Sequence, residues 1–352
     1  MSRQQSSNGQ DGAARLTAGR PNSTHTAGDA ALARHHSYAL FSGLFLKGLT
    51  VPFLMHVRAI PALAKALPPV IVPDVEAADH YHLFGFNLFP YESIFIDDAG
   101  LLGGRVTEAV SRTLSAAGFM VNTASAAADH IGYELAFMAF LSMREATAWA
   151  RADHFLANET REIQHGFLHT HLLPWLPAFA VALQRHRQPF YDALGALTLD
   201  FVNAHAAELP RREDSENLYQ PISQSPMHSC KSSEGKSGLY ELATFMTTPA
   251  FSGLHLSRDR ITGLARELQL PHGFGSRRDM LLTLLQTAER YESLSKLLQS
   301  LRHETAAWQK SYEAFATQWP SLRPYFISWS ERVAAAGDLL ERMGPTEENN
   351  DG

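Results

Sequence analysis

The chain has 352 residues, 45% of them apolar, and a formal net charge of −6. A sizeable core is within reach and wholesale disorder is excluded. Without a basic field the chain has no electrostatic means of holding nucleic acid. Cys230 is the single cysteine. That excludes intrachain disulfides, four-cysteine zinc sites and cysteine-ligated iron–sulfur clusters, and it suits a reducing, cytoplasmic compartment.

Residues 1–30 are rich in Ser, Gly, Asn, Gln, Thr and Ala and lack an apolar h-region. They read as a disordered tail and not as a secretory signal. The apolar run from Tyr38 to Met55 contains Lys47 and is broken by Pro52. It is short for a membrane span and reads as a kinked core helix, so no membrane insertion is expected. Residues 31–66 are predicted to form one or two helices ended by Pro68-Pro69. A short helix follows from Val75 to Phe84, and Phe89-Pro90-Tyr91-Glu92-Ser93 is expected outside regular structure because of its proline. A helix over 105–117 stops at Gly118. Further helices are predicted over about 129–148, 152–171, 175–186 and 189–208.

From 210 to 238 the composition turns polar and reads as a flexible linker. Apolar periodicity resumes over 239–345. There Ser257 is a candidate cap for a helix from Arg258 to Leu268, and Ser276 for one running into the 290s. Two more helices are expected up to about Met343. No run alternates apolar with polar residues long enough to make a sheet, so the fold class is all-α.

The segment Asp129-His130-Ile131-Gly132-Tyr133-Glu134-Leu135 opens the most apolar helix. His130 and Glu134 fall one turn apart beside the stripe Ile131, Leu135 and Met138, and Asp129 stands where an N-cap would stand. Burying such polar groups at a core border is costly unless they have partners. The set is either a structural clamp or part of a site. A second cluster, Phe167-Leu168-His169-Thr170-His171-Leu172-Leu173-Pro174-Trp175, packs histidines and a tryptophan at a proline-marked helix boundary.

Glu162, His165 and His169 share one helix face and are the alternative, metal-ligating reading: a metal-dependent helical enzyme. Di-iron bundles need two Glu-x-x-His motifs, and only one is present. Gly235-Lys236-Ser237 is not a phosphate loop, because Cys230 stands where the first glycine would be needed.

Taken together, the first helix around Tyr38 and Leu44, the Pro90-Tyr91-Glu92-Ser93 loop, the Asp129 to Met138 segment and Phe167, His171-Leu172 and Trp175 resemble the TorD/DmsD/NarJ family of redox-enzyme maturation chaperones. The resemblance runs from about 35 to 209, with 239–345 as a helical extension. It departs from the family at Ala126 and Ala127, where Glu and Pro are common. The resemblance implies an all-helical, TorD-like bundle over 31–209 without catalytic residues, metal or cofactor of its own. It implies a cytoplasmic chaperone that binds the catalytic subunit of a molybdopterin-dependent oxidoreductase, through an N-terminal twin-arginine signal or its remnant, and assists cofactor insertion. Tyr91, Glu92, Asp129, His130, Glu134, Phe167, His171, Leu172 and Trp175 are the residues assigned to client binding. Asp129, Glu134 and Glu92 are placed at the edge of an open apolar groove. The family includes monomers and domain-swapped dimers, so a homodimer stays open.

Overall fold

The computed structural model describes residues 23–121, 126–209 and 235–343. Among them the secondary structure is helical throughout, and the sole β pairing is an isolated antiparallel bridge between Tyr91 and His130. The all-α reading of the sequence is therefore correct.

In chain order the helices are α1 (Ser23–Lys47), α2 (Leu54–Ala59), α3 (Pro61–Lys65), α4 (Pro73–Tyr81), α5 (Glu92–Ile96) and α6 (Gly104–Ala116). Then come α7 (Ile131–Ala150), α8 (His154–Phe167), α9 (Leu176–Arg185) and α10 (Pro189–Glu208). The C-terminal set is α11 (Gly235–Thr247), α12 (Pro249–Ser252), α13 (Arg258–Glu267), α14 (Arg277–Arg290), α15 (Leu294–Gln318) and α16 (Arg323–Met343). Two π-helical turns, His82–Asn87 and Leu168–Leu172, extend α4 and α8.

Three boundaries differ from the sequence reading. Helix α1 begins at Ser23, inside the expected tail, and residues 1–22 of that tail lie outside the described residues. Helix α11 begins at Gly235, inside the expected linker, of which 210–234 lie outside the described residues. Glu92 and Ser93 belong to α5 and not to a loop, because the chain re-enters a helical turn directly after the extended Tyr91.

Helices α1 and α7 lie against one another along their length. Leu44 and Phe45 from α1 and Ile131, Leu135 and Met138 from α7 are buried. Gly132 permits the approach: a Cβ there would collide with the Leu46 side chain. Helix α9 shows where the core lies. Every residue from Leu176 to Leu183 is buried, so the helix is apolar all round and must be covered on all sides.

The C-terminal helices supply part of that cover, with α15 and α16 packing on α9. Trp329 of α16 is fully buried and donates its indole N–H to the Pro174 carbonyl at 2.9 Å. The guanidinium of Arg185, at the end of α9, meets Glu304 of α15 at 2.8 Å and lies over the Trp308 ring at 5.1 Å. Glu304 also binds Arg260 of α13 at 2.6 Å. Gly253, at φ 73°, lets the chain pass directly under the α16 backbone, and Tyr312 donates to its carbonyl at 2.7 Å. Both halves thus contribute to one continuous apolar cluster. Ser257 and Ser276 cap α13 and α14 as the sequence predicts, accepting from Arg260 and Asp279 backbone N–H groups.

A shared core requires shared unfolding. Trp329→Ala is expected to destabilise the whole chain by about 3–5 kcal/mol. Denaturant melts followed by far-ultraviolet circular dichroism and by tryptophan fluorescence should shift together. Two separated transitions would show that the extension folds on its own.

Candidate functional site

The motif segments of the sequence meet in one buried polar network. It begins with Asp129. Its Oδ2 accepts from the Ser93 backbone N–H at 3.0 Å and its Oδ1 from the Thr107 hydroxyl at 2.8 Å. Its backbone carbonyl accepts from the Glu92 N–H at 3.0 Å. Asp129 therefore caps α5, across 36 residues of sequence, and pins α6 beside it. It is not the cap of α7, as the sequence suggested. That position belongs to His130, whose Nδ1 accepts from the Gly132 N–H at 3.0 Å. An accepting Nδ1 is unprotonated, and burial pulls the His130 pKa down to about 3. The Tyr91 ring packs edge-on against His130 with centroids 4.9 Å apart.

The second arm joins the two motif segments. His171, on the π-helical turn after α8, places Nδ1 3.1 Å from Glu92 Oε2 and Nε2 3.2 Å from the Thr113 hydroxyl. Thr113 spends its own proton on the Ala109 carbonyl at 3.1 Å. His171 Nε2 is then the donor to Thr113, Nδ1 is bare, and Glu92 must carry the proton between them. The electrostatics agree. Burial raises the Glu92 carboxyl well above its usual range and lowers His171 to about 4. The contact is a neutral hydrogen bond and not an ion pair.

Glu134 abuts Glu92. Burial first, and the neighbouring Glu92 second, raise its carboxyl well above the usual range. Its Oε2 accepts from the Trp175 indole N–H at 3.3 Å, while Oε1 has no partner of hydrogen-bond geometry. Two buried carboxyls raised in this way do not both carry charge. Phe167 packs on His171 and Phe137, and Leu172 is fully buried.

The structure thus brings together Tyr91, Glu92, Asp129, His130, Glu134, Phe167, His171 and Trp175, from α5, the start of α7, the end of α8, the π-helical turn and the start of α9, with α6 adding Thr107 and Thr113. It also corrects their setting. Asp129, Glu134 and Trp175 have no exposed surface, and Glu92, His130, Phe167, His171 and Leu172 are buried. Only Tyr91 is half-exposed. The carboxylates do not edge an open groove in this conformation, because each is consumed by an internal donor or by its neighbour.

The alternative metal reading finds no such gathering. Glu162 points to solvent, and the His165 and His169 rings lie 4.3 Å apart, with His169 Nδ1 3.1 Å from the Tyr325 hydroxyl. Among the described residues no three His, Asp or Glu side chains converge as a metal set would.

Sequence reasoning missed Thr107 and Thr113, which sit on the predicted helix over 105–117 but carry no motif. It also missed Glu145, fully buried near the other end of α7 and bound by Arg34 (3.1 Å), Trp149 (3.2 Å) and Gln164 (3.2 Å). Its spacing from Glu134 is three helical turns, so it shares the core face, and that signal was available.

The site is a buried polar network inside an all-helical bundle. Comparison with known proteins gives its family. Residues 58–181 match the family described as "Nitrate reductase delta subunit". The chain is 34% identical over 181 residues to the chaperone protein TorD of Vibrio cholerae serotype O1 (strain M66-2), covering 49% of this chain and 79% of that one. It is 27% identical over 139 residues to the chaperone protein TorD of Vibrio parahaemolyticus serotype O3:K6, covering 38% and 63%. The chain belongs to the TorD family of chaperones.

Asp129→Ala leaves the Ser93 N–H and the Thr107 hydroxyl without an acceptor, and should cost about 2–4 kcal/mol rather than the loss of a simple surface cap. Asp129→Asn, which keeps an acceptor, should cost less. Urea denaturation measures both.

The histidines set an acid limit. His130, His169, His171, His186 and His205 have folded values of about 3 to 4 against 6.5 unfolded. The folded state then binds fewer protons, so the stability they contribute is complete above pH 6.5 and is lost as pH falls from there towards 4. Glu92 and Glu134 act in the opposite sense: their raised values favour folding at low pH and oppose it as pH rises through them. Melting temperature should drop on acidification below pH 6.5, and Glu134→Gln should gain on wild type as pH rises above the ordinary carboxylate range. Thermal melts as a function of pH decide it.

Proposed function

We propose that the chain is a cytoplasmic maturation chaperone for a molybdopterin-dependent oxidoreductase. It binds the catalytic subunit, through its N-terminal twin-arginine signal or a remnant of it, and keeps the enzyme open until cofactor is inserted. It does so without catalytic chemistry of its own. The observation that carries this reading is that the family match over 58–181 encloses every residue of the buried network, from Tyr91 to Trp175. Among the described residues no single helix is long and apolar enough to cross a membrane.

The client segment is proposed to enter at the seam between Tyr91–Glu92 and Asp129–His130. Opening it parts Tyr91 and Glu92, with His171 bound to Glu92, from Asp129, His130 and Glu134, and uncovers Phe167, Leu172 and Trp175. The seam is joined by an isolated bridge and a few polar contacts, which water or a peptide can replace. The neutral Glu92–Glu134 pair supplies a reason for cationic clients. Closed, the two carboxyls cannot both ionise. Opened towards a positive n-region, they gain their charges and a partner at once, while an apolar stretch covers the exposed core.

The discriminating variant is Glu92→Gln with Glu134→Gln, which keeps the shape and the hydrogen-bonding capacity. Fluorescence anisotropy with a labelled twin-arginine signal peptide should show affinity lowered by at least about tenfold, as expected for loss of charge-assisted contacts. Melting temperature should be unchanged or higher. Unchanged affinity would make the network purely structural. For the function itself, a client oxidoreductase co-expressed without this chain should accumulate with less cofactor, measured as molybdenum per protein.

A further inference from the structure

A groove of about 460 Å³ opens where the core meets the extension, between the chain around Ala99–Leu102 and helices α11, α13 and α14. Its wall is apolar at Phe89, Leu101 and Leu102, and the two leucines are largely exposed. The rest carries Arg258, Arg277 and Arg278.

These arginines contrast with the paired ones of the core. Elsewhere in the core, Arg34 meets Glu145 and Glu208, and Arg185 meets Glu304. Arg277 is only 8% exposed, yet its hydrogen bond is a long one, 3.3 Å to the Leu256 carbonyl. Among the described residues no carboxylate lies within ion-pair distance of it. Burial, with the charge of Arg258 added, pulls Arg277 down to about 10, so it stays cationic at neutral pH.

Arg258 lies over the rings of Phe86 and Phe89, donates to the Phe86 carbonyl at 3.2 Å, and keeps a buried Nε–H without a partner. Arg278 lies over the Tyr240 ring, with Asp279 no nearer than 3.8 Å. That aspartate is itself engaged by the Ser276 hydroxyl at 2.6 Å in the cap of α14. Behind the groove, His255 is buried with both ring nitrogens unpartnered, and it too faces Arg277 rather than an acid.

A buried guanidinium without a counter-ion is costly in any folded protein, and the cost is removed when an anion arrives. The positive end of the 14-residue helix α14 opens on the same place. The threonines of the facing wall add no donors, because Thr244, Thr247 and Thr248 give their protons to carbonyls one turn back. The available donors are guanidinium N–H groups, more of them than the two oxygens of one carboxylate can take up. A phosphoryl dianion, with three terminal oxygens and two charges, matches that supply. The apolar wall and the volume suit a small organic body attached to it.

We propose that this groove binds a small organic phosphate, its phosphoryl group held by Arg258, Arg277 and Arg278 and its body lying along Phe89, Leu101 and Leu102. None of the three arginines belongs to the residues assigned to the client seam, and the groove is built half from the extension that lies beyond the matched region 58–181.

The test uses the full-length protein, with phenyl phosphate as the probe and inorganic phosphate and phenylacetate as comparisons, in calorimetric titration at constant ionic strength. Phenyl phosphate should bind and raise the melting temperature, with inorganic phosphate weaker by about threefold or more for lack of the apolar body. Arg278→Ala, on an exposed side chain, should keep the wild-type circular dichroism spectrum and weaken phenyl phosphate by about tenfold. Arg258→Lys is a second variant that keeps the charge but loses the planar fork, and it should also weaken binding. Binding of phenylacetate as tight as that of phenyl phosphate would overturn the phosphoryl assignment. No stabilisation beyond that of sodium chloride at equal ionic strength would overturn the site itself, as would equal affinity in wild type and both variants.

Discussion

The burial of three carboxyl groups within a few residues' reach is the constraint around which the N-terminal half is arranged. Asp129, Glu92 and Glu134 all lie inside the protein, where an unpaired carboxylate would cost several kcal/mol. Each escapes that cost differently. Asp129 takes donors from two separate helices, Ser93 on α5 and Thr107 on α6. Glu92 and Glu134 keep protons and join His171 and Trp175. Because those partners come from distant parts of the chain, satisfying the carboxyls fixes where five elements sit. The short helix α5 could not hold its place on five residues of propensity alone.

The two π-helical turns serve different contacts. His82–Asn87 places His82 and Asn87 against Asp259 of α13 at 2.8 and 3.0 Å, while Leu168–Leu172 carries His171 into the network. A π-turn rotates the following side chains away from the α-helical register. Without it, His171 would follow the direction of the preceding α8 face. The energetic cost of the turn is offset by the hydrogen bonds of His171 to Glu92 and to Thr113.

The extension is a structural partner of the core before it is anything else. Helix α9 is apolar on every side and needs cover that α10 alone does not give. Helices α15 and α16 complete it, and Trp329 closes the boundary at Pro174 with one directed bond. Joining two helical layers creates a new crevice at their rim, and that crevice collects the arginines of α13 and α14. The molecule thus carries two distinct polar regions of opposite character. One is a proton-holding acid pair inside the family core. The other is a set of guanidinium groups, poor in acids, at the margin of the extension.

Much of this was legible in the sequence. Apolar periodicity with no alternating runs determined the all-helical class, and Ser257 and Ser276 announced their helices because capping is a local bond within one turn. The motif residues around Asp129, Glu92, His171 and Trp175 were recognisable as one set through their resemblance to a chaperone family. Their roles were not. Asp129 precedes α7 in the chain and reads as its cap, yet it serves α5, because the bridge between Tyr91 and His130 brings Ser93 closer than any amide of its own helix. Burial was misjudged for the same reason: carboxyls look like surface residues until a partner from another segment is known. Local chemistry, which depends on neighbours in sequence, could be read from the chain. Which donor meets which acceptor, and hence which groups are charged, depends on distances that only the packed helices determine.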